Sequence, residues 1–279
     1  MKKHDFQVLL SQLRDPERCW DAMLDIKFIN GPIIYDFLLE NLQDSHAVVR
    51  WVLAEKCADI AFFEAIPILF NLLKDTEQQV RKTAFKSLKS MAPKALPFAL
   101  EAFLKNDETL HGACRELVIL NGCAAFEEIK NNFDKIEEKD AARFMSLVWD
   151  LSPFNAEPLF IDALQYRNLF QVSLVYLQKI KSIEAIPVLL SLYTEKNYQG
   201  LIDTYFSKLP QDQFFDVLSE TLIDPNLGPI AQDIVSQHGK IVLPYIQSKI
   251  QASNFDAKVQ WVAVLQALKE SSAFQNTSH

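Results

Sequence analysis

The sequence predicts an all-α protein, an α-α superhelix (solenoid) of about nine helical hairpins. Three observations predict it. The stretch "EAIPILF" at residues 64–70 is spelled again as "EAIPVLL" at 184–190. Prolines set among apolar residues, Pro67, Pro97, Pro158, Pro187 and Pro244, stand 30, 61, 29 and 57 residues apart, which is one or two units of about 30 each time. The apolar positions Val49, Leu53, Cys57 and Ile60 recur 31 residues later as Val80, Ala84, Leu88 and Met91. Each set steps by four, four and three, the spacing of one stripe on a helix.

Within a unit, proline marks the start of the first helix, where a residue without an N–H loses no hydrogen bond. The second helix carries the apolar stripe. Turn residues lie between the two: Asp44 with Ser45 in one copy, Asp75 with Thr76 in the next, and Thr76 with Gln79 has the spacing of a capping box. Carried along the chain, the period predicts hairpins near 5–27, 30–60, 64–91, 94–121, 125–150, 155–180, 184–209, 213–237 and 240–268. The pattern is clearest over 30–91 and degenerate over 94–268, and no stretch reads as a linker, so residues 1–279 are expected to form a single array. Its ends are expected to be more polar, at Met1 to Phe6 and after Glu270.

Composition narrows the function. Six glycines, none close to another, leave no phosphate-cradling loop. The run after "MKKHD" is too short for a signal peptide and no segment approaches the length of a membrane span, so a cytoplasmic protein with no membrane insertion is expected. Cys19, Cys57, Cys114 and Cys123 show no CxxC spacing and read as thiols in a reducing compartment. A formal charge of −8 argues against extended contact with nucleic acid.

Asp44 with Arg50, and Asp75 with Arg81, each six residues apart, resemble the turn aspartate and second-helix arginine of the HEAT-repeat family. The short period is similar to that of the bacterial HEAT-like repeats, of the kind also found in bilin lyase subunits. The resemblance implies a ladder between neighbouring repeats made by Asp44, Arg50, Asp75 and Arg81. It also implies that the second helices line a concave groove. On that face the residues one step from the core stripe are Lys82, Lys86 and Lys89 in the third hairpin and Trp51, Glu55 and Ala58 in the second. Trp261 falls at the repeat position of Trp51. Further apolar residues at inner positions are Leu177, Ile180, Ile202, Phe206 and Leu209.

Chemistry is harder to find. His4, His46, His111, His238 and His279 stand alone with no HExxH, so no metal is expected, nor any other cofactor. Cys57 and Cys114 occupy core slots of the repeat. The alkylpurine DNA glycosylases of HEAT-like fold rely on tryptophans and a catalytic aspartate, for which Trp149 with Asp150 is a poor substitute. HEAT-like bilin lyases share the chain length and period; no residue here carries over as a bilin site, and a bilin lyase or chromophore-handling subunit stands as the alternative reading, ahead of a DNA glycosylase. The chain is therefore expected to be a non-enzymatic scaffold or adaptor that binds a protein or peptide segment in its groove, through Trp51, Glu55, Lys82, Lys86, Lys89, Ile202 and Phe206.

Overall fold

A computed structural model describes residues 3–105, 107–151, 156–253 and 255–270. Met1, the end after Glu270 and His279 lie outside these residues, and so does the His4 side chain. Every described element is helical. In chain order the helices pair as α1 (Lys3–Leu13) with α2 (Cys19–Phe28), α3 (Tyr35–Asn41) with α4 (Ala47–Asp59), α5 (Ile66–Leu72) with α6 (Gln78–Ser90), and α7 (Ala92–Leu104) with α8 (Glu108–Asn121). Then follow α9 (Phe126–Lys130) and α10 (Glu138–Leu151), the pair α11 (Glu157–Ala163) with α12 (Phe170–Ile180), and the helices α13 (Ile186–Leu192) and α14 (Lys196–Phe206). The last pairs are α15 (Gln211–Thr221) with α16 (Gly228–His238), and α17 (Leu243–Ala252) with α18 (Phe255–Glu270). The chain packs as two compact units, one comprising the residues up to Asn132 with Ser146–Leu151, the other Phe133–Met145 with the residues after Leu151.

The duplicated heptapeptide is the re-entry from one hairpin into the next. Ala61 and Lys181, each three residues before the Glu of the motif, take left-handed backbone with φ of 51° and 55°. The turn then closes by Phe62 N–H donating to the Cys57 carbonyl at 2.8 Å and Ser182 N–H to the Leu177 carbonyl at 3.0 Å, the bond that satisfies an orphan carbonyl at a helix C-terminus. Beyond it Ala65, Ile66, Leu69 and Phe70 are buried, and so are Ala185, Ile186, Leu189 and Leu190. Pro67, Pro158, Pro187 and Pro244 sit in the first turn of α5, α11, α13 and α17 as the period requires. Pro97 does not. It lies inside α7, because that helix follows α6 directly and Pro93 already occupies its first turn.

In the first unit the turn aspartates hold successive hairpins in register. The Oδ1 of Asp44, Asp75 and Asp107 accepts the backbone N–H two residues on, from His46, Glu77 and Thr109 respectively. The side chain of each then meets a cation from the preceding hairpin: Arg14 at Asp44, Arg50 at Asp75 and Lys74 at Asp107. Arg50 is the most committed of these. Its Nε and NH2 donate to the two carboxylate oxygens of Asp75 at 2.6 and 2.8 Å, and its NH1 donates to the carbonyls of Asp44 and Ser45 at 2.7 and 2.9 Å. Arg81 reaches only the carbonyls of Asp75 and Thr76 in its own hairpin, at 2.5 and 2.8 Å. The pairing is thus Arg50 with Asp75, not Asp75 with Arg81. The capping role foreseen for Thr76 and Gln79 falls to Asp75, and α6 has no side-chain bond at its N-cap Glu77.

The second unit is held by different chemistry. Rings stack or tilt between consecutive hairpins: Phe170 on Tyr198 at 4.0 Å, Phe206 on Phe214 at 5.0 Å and Phe215 on Tyr245 at 5.5 Å. The buried Tyr205 hydroxyl donates to the Ser182 carbonyl at 2.6 Å. Gly228 opens α16 so close to the end of α15 that a Cβ there would lie 2.7 Å from the Leu222 carbonyl oxygen.

Two predictions follow from these turns and rungs. Left-handed backbone is costly for any residue with a Cβ, so Ala61→Gly and Lys181→Gly are each expected to raise stability by about 0.5–1 kcal/mol, read from the urea midpoint. A lowered midpoint would show that the alanine and lysine side chains earn their places there by packing.

The second concerns the rungs. Arg50→Ala is expected to cost about 2 kcal/mol because it orphans a nearly buried carboxylate, Arg81→Ala about 1 kcal/mol, and the exposed Lys82→Ala less than about 0.5 kcal/mol. The Arg50 hydrogen bond holds the Asp75 carboxyl below its ordinary pKa. Its share of stability is therefore complete above about pH 4 and is lost as pH falls through the lower folded value. Asp75→Asn should be less stable at neutral pH and lose less on acidification; equal midpoints for Arg50→Ala and Lys82→Ala would refute the rung.

Candidate functional site

The second helices of the first unit pack side by side, α2 on α4, α4 on α6 and α6 on α8. Their apolar stripes turn inward: Ala22 and Ile26, then Val49, Leu53 and Cys57, then Val80, Ala84 and Leu88, then Leu110, Cys114 and Leu117 are all buried. Because the period is near 31, the residues outside the stripe line up as well. Trp20, Trp51 and Lys82 occupy one slot on successive helices, and Leu24, Glu55 and Lys86 the slot one turn further on. The face therefore changes character helix by helix, from apolar on α2 through aromatic and acidic on α4 to basic on α6.

Trp51 and Glu55 are half-buried on α4, and Lys82 and Lys86 are exposed on α6. Neither of those lysines forms an ion pair among the described residues. Lys89 differs. Its ammonium bonds the Glu116 carboxylate of α8 at 2.5 Å and lies 5.4 Å from the centre of the Phe85 ring, so it is already engaged. An open depression of about 560 Å³ separates α6 from α8, with Lys82, Phe85 and Thr109 on its walls.

Ile202 and Phe206 do not reach a surface. Both are buried on α14, where Phe206 packs against Phe214 and the edge of Tyr205. Leu177 and Leu209 are likewise interior, and Trp261 is buried, so the tryptophan slot is a packing slot in the last hairpin. These residues thicken the core of the second unit instead of lining a groove.

What the sequence reading passed over is the first hairpin. Trp20, Leu24 and Phe28 are 65%, 57% and 79% exposed and stand at successive turns of α2. Beside them a cavity of about 230 Å³ opens between α2 and α4, walled by Met23, Ile26 and Val52 with Glu55 and Asp59 at its edge. Lys56 crosses beneath it, buried, its ammonium donating to the Lys27 carbonyl at 2.8 Å and to Asn30 Oδ1 at 3.2 Å. Burial lowers its pKa, against the nearby Asp59 charge. The signal was available: Trp20 stands 31 residues before Trp51. At the same end, Phe6 is buried and stacked on Phe37 at 4.5 Å, so the hairpin begins with core and not with a polar cap.

The chemistry of the remaining candidates is plain. Burial pushes the Cys57 and Cys114 thiols up to about 12, which keeps them protonated and unreactive at neutral pH. His111 lies against Phe103, and His238 Nδ1 is 2.9 Å from the Ile234 carbonyl. Among the described residues no three His, Cys, Asp or Glu side chains are grouped to hold a metal ion. Asp150, beside Trp149, is paired with Arg115. No helix of the described residues is long and apolar enough to cross a membrane.

Comparison with known proteins places this architecture. Residues 35–117, from the start of α3 into α8, match the family described as HEAT repeats. Among solved structures, human deoxyhypusine hydroxylase in complex with glycerol is similar over 96% of this chain and 97% of its own, at 14% identity and a TM-score of 0.33. An engineered protein is similar over 97% of this chain and 86% of its own, at 17% identity and a TM-score of 0.30. No curated protein sequence matches. The aspartate turns, the Arg50 rung and the 31-residue register all fall inside the matched segment, and it is over these residues that the chain matches HEAT repeats.

Proposed function

We propose that this chain is a non-enzymatic scaffold that holds a segment of another protein against the α4–α6 face of its first unit. The observation that carries this reading is the pair Lys82 and Lys86, one turn apart, exposed and without acidic partners in a chain of net charge −8. In an acidic protein, unpaired lysines on one face draw an acidic segment and set the rate of encounter. Trp51, at the adjacent slot on α4, supplies the aromatic anchor that commonly dominates binding energy. The buried Cys57 and Cys114 thiols are held protonated and offer no thiolate nucleophile, which supports binding over catalysis as the reading of this face. A cytoplasmic setting fits the unpaired cysteines.

The test begins with affinity purification of the tagged protein from its own cells and mass spectrometry of what it retains. For the partner so identified, Trp51→Ala should weaken binding by about 2 kcal/mol or more, with helicity unchanged. Lys86→Glu should chiefly slow association and alter its salt dependence. Unaltered binding by both folded variants would remove this face from the function.

Charge generates a further expectation. At about 0.15 M salt the protein should show no tight binding to duplex DNA, because its one basic stripe is short and the remainder, at a net charge of −8, repels phosphate. An anisotropy titration reads this directly. Submicromolar binding, or release of alkylated bases, would instead favour a DNA-repair activity.

A further inference from the structure

The ridge on α2 is not explained by an acidic partner at Lys82 and Lys86. Trp20, Leu24 and Phe28 follow one line along the helix, about 12 Å from end to end at the helical rise, which matches two turns of a partner helix. Three large apolar side chains in a row, each more than half exposed, form a patch of the kind that marks an interaction surface. The cavity that opens from the ridge toward α4 has a volume of about 230 Å³, below the roughly 300–1,000 Å³ of small-molecule pockets. It suits one inserted side chain.

Charge identifies what covers the ridge. Glu55 and Asp59, one turn apart on α4, edge the cavity. Asp21 and Asp25, one turn apart on α2, lie on the opposite flank, because the helical twist of about 100° per residue carries them away from the side that Met23 and Lys27 turn toward α4. None of the four carboxylates forms a salt bridge among the described residues. Of the nearby cations, Lys56 is turned inward to the Lys27 carbonyl and Arg18, at the start of α2, is paired with Asp15, while Lys27 stands exposed beside the cavity. An apolar ridge thus runs between two acidic rows. An acidic segment, or the same face of a second copy, would set carboxylate against carboxylate there.

We propose that the α2–α4 face binds a cationic amphipathic helix, which seats one apolar side chain in the cavity and places its lysines or arginines against Glu55 and Asp59 on one side and Asp21 and Asp25 on the other. The proposal rests on reading the chain as a protein-binding scaffold and assigns that scaffold a second partner chemistry, distinct from the acidic segment at α6.

The probe is a labelled 18-residue peptide made only of leucine and lysine, patterned as an amphipathic helix, with a leucine and glutamate peptide of the same pattern as its counterpart. Fluorescence anisotropy with the full chain should show the lysine peptide binding at least tenfold tighter. Leu24→Ser should weaken that binding at least fivefold, and Glu55→Lys with Asp59→Lys at least tenfold, with circular dichroism unchanged. A control reversal far from the site, Glu184→Lys with Glu195→Lys, alters net charge equally and should change affinity less than threefold. Equal affinity for the two peptides, indifference to Leu24→Ser, or an equal loss in the control would each overturn the proposal. The outcomes separate the two readings. If the lysine peptide fails while a cellular partner still depends on Trp51 and Lys86, the scaffold stands and this site falls; if the peptide binds as stated while no partner depends on Trp51 or Lys86, the α6 reading falls and this site stands.

Discussion

The geometry of the first unit depends on one shared carboxylate per turn. Asp75 uses Oδ1 to take the N–H of Glu77 at the mouth of α6 and both oxygens to hold the guanidinium of Arg50 from the preceding hairpin. The same arginine closes its own turn through the Asp44 and Ser45 carbonyls. A planar fork of donors can satisfy all of these at once, which a lysine cannot. Since each rung ties a helix start to the hairpin before it, sliding one hairpin along its neighbour would break a charged hydrogen bond and expose a helix terminus together. Apolar stripes pack equally well at several offsets; the rungs select one. That selection keeps Trp20, Trp51 and Lys82 in a common slot, and the candidate sites inherit their alignment from it.

Equivalent positions in the repeat are reused for equivalent tasks with different residues. Ser87 donates to the Ala54 carbonyl at 2.8 Å, and Lys56, 31 residues earlier, donates to the Lys27 carbonyl, each bonding a main-chain oxygen of the preceding second helix. A hydroxyl does this with little desolvation, whereas an ammonium loses much of its hydration on burial, and the lowered pKa of Lys56 records the difference. The longer side chain spans a wider gap between α2 and α4, and that gap is the cavity beside Trp20.

How far the sequence could be read follows from which residues carry the constraint. The hairpins were legible because proline, the turn aspartate and the four-four-three stripe are local signals, and each marks a backbone requirement. Pro97 misled because its spacing alone cannot say whether a helix starts there: Pro93 holds the first turn of α7, and Pro97 stands inside that helix. Beyond Leu151 the fading of the pattern has a physical cause: the chain contains a single arginine there, Arg167, so forked rungs like that of Arg50 give way to stacked rings such as Phe170 on Tyr198 and to the Lys249 bridge to Asp216 and Glu220. That change also explains Ile202 and Phe206. Aromatic contacts between hairpins need a thicker apolar layer, which absorbs positions that face outward in the rung-bearing unit.

The site was half legible for a related reason. A periodic sequence states which residues share a slot, and that sufficed to group Trp51 with Lys82 and Glu55 with Lys86. It does not state which slots are covered, since Trp261 is buried in the slot that Trp20 leaves exposed. Coverage depends on how the neighbouring helix is built. Interior second helices are flanked on two sides, so only a narrow outward strip stays free to vary, and on α4 and α6 that strip carries Glu55 and then Lys82 and Lys86. Among the described residues α2 has one second-helix neighbour, α4, and its free surface is correspondingly wider. Three large apolar residues on such a surface contribute little to the hairpin that bears them, and a stripe already buried through Ala22 and Ile26 does not need them. The buried stripe and the exposed ridge thus lie on different faces of the same short helix, and the outward face can vary without disturbing the register that the aspartate turns impose.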